Sequence, residues 1–214
     1  MVTLYPRLRR DGSKGENSMK NSKTLRLTQL SLLVAIQLIL TLTPLGYIMV
    51  PPISATVMHI PVIVGAILLG PGSGALLGGV FGLTAMWKAS TAATAVTDMA
   101  FSPFLSGKPV QSIVMCVFTR ILLGLIAAWL YRAFLRLFNG RVTPAILAGS
   151  VLATLCHTVM VLGCLALFFR EFGMGLMAVV LTACSITGLV EMGLAALVSA
   201  AICRPLLAYL HRAG

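Results

Sequence analysis

Three ionisable side chains stand inside long apolar stretches of this chain. Arg120 lies within "QSIVMCVFTRILLGLIAAWLYR", His157 within "ATLCHTVMVLG" and Glu191 within "SITGLVEMGLAAL". A charge in apolar surroundings is costly, so such groups mark either mutual pairs or ligand sites. Two chemistries are open. Arg120 and Glu191 can form an ion pair that ties two helices together. Alternatively Arg120, or Lys88 with its neighbour Trp87, meets a ligand carboxylate, while His157, Thr158, Thr187 and Glu191 supply polar contacts. His157 also fits a satisfied histidine of a bundle interior. His59, at a helix start behind a loop, fits capping and gating equally well. Catalysis is not indicated: the chain has no HExxH, no carboxylate pair at helical spacing, no nucleophile with a base beside it and no Walker lysine after Gly70–Gly74. It therefore has no means of its own to hydrolyse ATP on any familiar plan.

The elements that must position these residues follow from composition. Of 214 residues, 58% are hydrophobic and only 10% charged, with a mean hydropathy of +0.99; soluble domains carry about 25% charged residues. Stretches such as Leu27 to Met58 and Ala145 to Phe169 contain no charge and exceed the roughly 18 apolar residues of a membrane span. The reading is an all-α, multi-pass membrane protein, one compact bundle with no separate soluble domain. The net charge of +11 does not indicate nucleic acid. Seven basic residues (Arg7, Arg9, Arg10, Lys14, Lys20, Lys23 and Arg26) precede the first span as a cytoplasmic anchor, with no interleaved aromatic face. The five cysteines all fall in apolar segments without a CxxC pair, so they read as small buried hydrophobes, with no metal and no cofactor implied.

Six apolar segments are expected, at 25–46, 58–69, 72–88, 111–138, 143–169 and 174–204, within a membrane domain of 24–210 that follows a polar cytoplasmic tail of 1–23. Residues 1–18 lack a helical period and are no signal peptide. They read either as a disordered tail or as a product of start-codon choice ahead of Met19. The segment 58–69 poses the topological question, because Gly70-Pro71-Gly72 interrupts an uncharged run from Ile60 to Trp87. About ten helical residues reach only about 15 Å, half a hydrocarbon core. Such a helix must borrow length from the extended stretch before it or be covered by its neighbours. Charge bias decides between one pass and two. With two, both termini and the 132–141 loop are cytoplasmic, and 12 basic residues lie inside against Lys88, Lys108 and Arg170 outside. With one, the split is 10 against 5. The positive-inside rule favours two. Gly74, Gly78 and Gly82, at four-residue spacing, then form a stripe for close helix packing.

On this topology two non-helical segments face outward. "GYIMVPPISATVM" is held extended by Pro51 and Pro52. The 23 residues Lys88–Val110 exceed an ordinary connection, and they carry Asp98, Phe101, Phe104 and Leu105. The second segment reads as a lid over an outward-facing cavity.

The pattern "IP.IVGAILLGP..GALLGG.FGL", followed by a long outer loop, "FTRILLGLIAAWLYR", "CHTVMVLGCLALFF" and "SITGLVEMGLAALVSAAICRPL", resembles the substrate-binding S components of energy-coupling factor (ECF) transporters. The resemblance runs in order over residues 20–210 and is nearest the pantothenate-type subgroup. It implies a six-helix subunit of a prokaryotic plasma membrane that captures a vitamin outside the cell. The subunit then docks onto one transmembrane coupling subunit and two cytoplasmic ATPases. The family's AxxxA docking motif corresponds here to Ser31 and Ala35; serine replaces the first alanine but keeps the small-xxx-small geometry. The two loops that close the family's ligand site coincide with the outer segments above. A subunit that rocks in the bilayer also tolerates a half-length helix covered by neighbours. A self-sufficient secondary transporter, with Glu191 and His157 as coupling groups, is the alternative class; no internal repeat supports it. Other vitamins, such as riboflavin, folate or biotin, remain alternative cargo.

Overall fold

The computed structural model describes residues 14–43, 46–50, 53–92, 96–169 and 186–213. In order these form α1 (Lys14–Leu42), β1 (Tyr47–Val50), β2 (Ile53–Thr56), α2 (His59–Leu69), α3 (Pro71–Thr91), the single turn α4 (Val96–Met99), α5 (Pro109–Leu137), α6 (Val142–Phe168) and α7 (Ile186–Ala213). Among the described residues, four helical stretches are long and apolar enough to cross a membrane: Thr24–Leu42 of α1, α5, α6 and Gly188–Tyr209 of α7.

Most expected segments recur as helices with shifted ends, and the shifts have local causes. The helix α1 begins at Lys14, well before residue 25, because lysine and glutamate propagate a helix once an adjoining apolar span nucleates it. It stops at Leu42, short of residue 46, since Thr43 precedes Pro44 and a residue before proline avoids the helical region. At the other end α7 runs through Pro205 to Ala213. Proline inside a helix removes one hydrogen bond, a loss that membrane helices tolerate when neighbours re-satisfy the freed carbonyl. The expected start of that segment at 174 lies outside the described residues.

The expectation of an all-α chain needs one correction. Residues 47–56 form a two-stranded antiparallel hairpin, pairing Tyr47 with Thr56 and Val50 with Ile53. Pro51 and Pro52, expected to hold this segment extended, lie outside the described residues.

The Gly-Pro-Gly interruption joins two helices. Gly70 takes φ 90° and ψ 179°, and its N–H closes α2 on the Ala66 carbonyl at 3.2 Å. Pro71 then opens α3 at the first helical position, where its missing N–H costs nothing. The helix α2 has 11 residues, of which all but Leu68 are buried. It is apolar on every side, as expected of a helix enclosed by others. The half-length helix is therefore the core of the bundle, covered by α1, α3, α5 and α7.

The closest helix pair is α3 with α5. A Cβ at Gly74 would stand 2.7 Å from the Gly124 carbonyl oxygen, and one at Gly82 would stand 2.6 Å from that of Cys116. A Cβ at Gly78 would collide with the Arg120 carbonyl. The glycine stripe thus brings two backbones into contact at successive turns, and it fixes the height of Arg120 in the bundle. Gly78→Ala should lower the melting temperature of the purified protein markedly, because overpacking against rigid backbone costs about 1–3 kcal/mol. Gly79→Ala, whose Cβ would find its nearest neighbour at 3.8 Å, should melt with the wild type.

Candidate functional site

Arg120 is 7% exposed, enclosed where α5 meets α3 and the loop after α4. The backbone before it explains how a buried guanidinium is held. Val114–Phe118 is a π-helical turn, which widens the helix and disturbs its usual carbonyl pairing. Arg120 Nη1 donates to the carbonyls of Met115 at 3.2 Å and Cys116 at 3.0 Å. The Thr119 hydroxyl also donates to the Met115 carbonyl. The guanidinium carbon lies 4.7 Å from the Phe81 ring centroid and 5.6 Å from that of Phe101. Aromatic faces at these distances attract a cation.

Beyond Phe81 the surroundings stay polar. The His157 ring on α6 lies edge-on to Phe81 at 6.0 Å and to His59 at 6.4 Å. His59, the first residue of α2, also hydrogen-bonds the Thr56 backbone. Both imidazoles are buried, at 2% and 8% exposure. Ser150, Thr154 and His157 fall at i, i+4 and i+7 and share one face of α6.

Two loop segments lie against this cluster. The end of β2 is tied to α7, for Glu191 Oε1 accepts the Thr56 N–H. Glu191 and Arg120 thus have separate partners, and no ion pair joins them among the described residues. Thr56 is the joint between hairpin, α2 and α7. Glu191→Gln should loosen the hairpin, since a hydrogen bond to a charged group contributes about 1.5–3 kcal/mol. The expected readout is a roughly tenfold faster release of bound ligand in a stopped-flow or filter assay.

The second segment folds inward at Phe101 and outward at Phe104, which is 85% exposed. Ser102 organises it: its hydroxyl pairs with that of Ser90 on α3 at 2.9 Å and accepts the N–H groups of Phe104 and Leu105 at 3.3 Å. Ser112 of α5 donates to the Ala100 carbonyl at 2.7 Å. The loop is thus fastened to both flanking helices, with Ala100 packed against Met115, Leu162, Leu165 and Phe169.

The remaining candidates are dispersed. Trp87 is 53% exposed on the outer face of α3. Lys88 lies at the end of that helix, within electrostatic reach of Asp98. The Thr158 hydroxyl bonds back to the Thr154 carbonyl of its own helix at 3.1 Å. Thr187 belongs to α7, but its side chain lies outside the described residues. Ser31 and Ala35 are both exposed on α1. Cys116, Cys156, Cys164 and Cys203 are free thiols, and no group of potential metal ligands occurs among the described residues. Reading the sequence missed Phe81, Ser150 and Thr154. The polar stripe in "SVLATLCH" was the available signal for the last two.

Comparison with known proteins places this geometry. The family described as "ECF transporter, substrate-specific component" matches residues 25–203. A pantothenic acid transporter, PanT, of Lactococcus lactis subsp. cremoris is 34% identical over 159 residues, covering 71% of this chain and 77% of the relative. A pantothenate transporter, PanT, of Leuconostoc mesenteroides subsp. mesenteroides is 34% identical over 127 residues, covering 55% of this chain and 56% of the relative.

Proposed function

Because the chain belongs to the substrate-specific components of ECF transporters, we propose that it captures pantothenate at the outer face of the cell membrane and passes it to an ATP-driven module. It is a multi-pass membrane transport protein and not an enzyme. The supporting observation is Arg120, a cation enclosed in an apolar bundle between two aromatic faces and beneath two loop segments. Pantothenate is a carboxylate, and Arg120 receives it. Polar contacts come from His157, with Glu191 holding the hairpin over the site through Thr56. The hairpin that includes Pro51 and Pro52, and the loop bearing Asp98, Phe101 and Phe104, form the gate.

The topology that fits this role has six passes: α1, α2, α3, α5, α6 and α7. Both termini and the Gly70 turn are cytoplasmic, and the membrane domain follows a polar tail. Docking involves Ser31 and Ala35 of α1. Beside them an apolar groove of about 340 Å³ runs between α1 and α7, floored by Ile60 and Val64 of α2. The partner is a transmembrane coupling subunit, joined in turn to two cytoplasmic ATPases.

The test is uptake of radiolabelled pantothenate by cells that produce this chain with and without a coupling module. Uptake that requires the module and its ATPase activity supports the reading. Uptake by the chain alone, driven by an ion gradient, would replace it with a secondary transporter.

A further inference from the structure

Several buried or half-buried hydroxyls in this bundle bond back to their own helix. Thr41 does so to the Gln37 carbonyl at 2.8 Å, Ser90 to Met86 at 2.8 Å and Thr158 to Thr154 at 3.1 Å. Thr154 Oγ1 does not, although Thr154 is 1% exposed. His157 Nδ1, nearly one turn along the same face of α6, and His59 Nε2, across the T-shaped ring contact, also lack a partner, as do Ser150 Oγ one turn back on α6 and Ser199 Oγ on α7. Leaving even one such group unsatisfied is unfavourable, and native interiors rarely do so without a functional reason. Of these, the Thr154, His157 and His59 atoms gather on two helices beside the Arg120 side chain, which points to a common partner. Phe81 touches both the guanidinium of Arg120 and the His157 ring. On the reading above, in which the carboxylate of the ligand lies at Arg120, its uncharged hydrogen-bonding groups fall to the imidazoles and Thr154.

We infer that His59, Thr154 and His157 form a specificity subsite that reads the hydroxyl and amide end of the ligand, while Arg120 holds its carboxylate. The inference rests on the pantothenate reading above and assigns the half of the ligand that reading leaves open. A hydroxyl and an imidazole each give or take directed hydrogen bonds, so they discriminate by what the ligand lacks. A site built to bond a hydroxyl rejects an analogue without it, because its own buried groups are then left unpaired.

The experiment is titration calorimetry of the purified full chain with pantothenate and with an analogue in which both hydroxyls are replaced by hydrogen. The wild type should prefer pantothenate by roughly 10- to 100-fold. Thr154→Val, nearly isosteric, should cut that preference at least about threefold by weakening pantothenate alone, with the analogue's affinity unchanged. His59→Phe should do the same, and Thr154→Ser, which retains the hydroxyl, should keep the wild-type preference. Should His59→Phe fail to fold, Thr154→Val and Thr154→Ser still decide. A preference unaltered in Thr154→Val, or equal weakening of both ligands, overturns the subsite while leaving pantothenate capture intact. Absence of pantothenate binding by the wild type overturns the parent reading instead, and the subsite with it.

Discussion

Arg120→Ala is expected to weaken pantothenate binding severely. Removing one partner of a desolvated, hydrogen-bonded charge pair costs about 2–5 kcal/mol. Each 1.4 kcal/mol is tenfold in affinity, so the loss should fall between about 30-fold and several thousand-fold. The size follows from the setting: Arg120 is 7% exposed and packed against two aromatic rings, where water has little access. Arg120→Lys should rescue little. An ammonium cannot cap the two carbonyls of the π-helical turn and also present a planar fork to a carboxylate. Calorimetry on both variants checks this, with thermal melting to show that the bundle persists. Pantothenate binding within about threefold of the wild type by a folded Arg120→Ala protein would remove Arg120 from the site.

The second large effect should separate transport from capture. Ala35→Leu and Ser31→Leu place a bulky side chain on the exposed face of α1, where close approach of another helix needs small residues. Uptake in cells with a coupling module should fall by at least about tenfold, while purified variants bind pantothenate within about twofold of the wild type. Both residues lie on α1, away from Arg120 and His157 on α5 and α6, so the two activities have no shared side chain. A variant that transports normally would place the docking surface elsewhere, with the groove between α1 and α7 the next face to alter.

How much was legible in the sequence depended on whether a feature is local. Gly70-Pro71-Gly72 specifies a helix stop and restart by its own chemistry, and the turn stands there. The four-residue spacing of Gly74, Gly78 and Gly82 announces a close helix contact, although not that α5 supplies the partner. The resemblance to S components, carried by a motif of glycines and prolines around that turn, is borne out by the family match over residues 25–203.

Features that depend on a distant partner were hidden. The hairpin consists of two four-residue strands, too short for a clear alternation, and it exists through their pairing. Pairing of Arg120 with Glu191 is a natural expectation for two charges in apolar helices. The structure gives Glu191 to the Thr56 N–H instead, a backbone donor that becomes reachable once the hairpin folds. The π-helical turn has no periodic signature; its carbonyls are recognised by the Thr119 and Arg120 side chains that cap them. His59 was ambiguous for the same reason. Its proximity to His157 depends on where α6 crosses α2, nearly 100 residues later in the chain.

Calorimetric titration of the purified chain, alone in detergent, with pantothenate tests the central claim most directly. Capture by this subunit predicts one saturable site, with binding that needs neither ATP nor any other protein, and with no comparable response to riboflavin, folate or biotin. Saturable binding of one of those vitamins in place of pantothenate, or no binding of any of them, would contradict it.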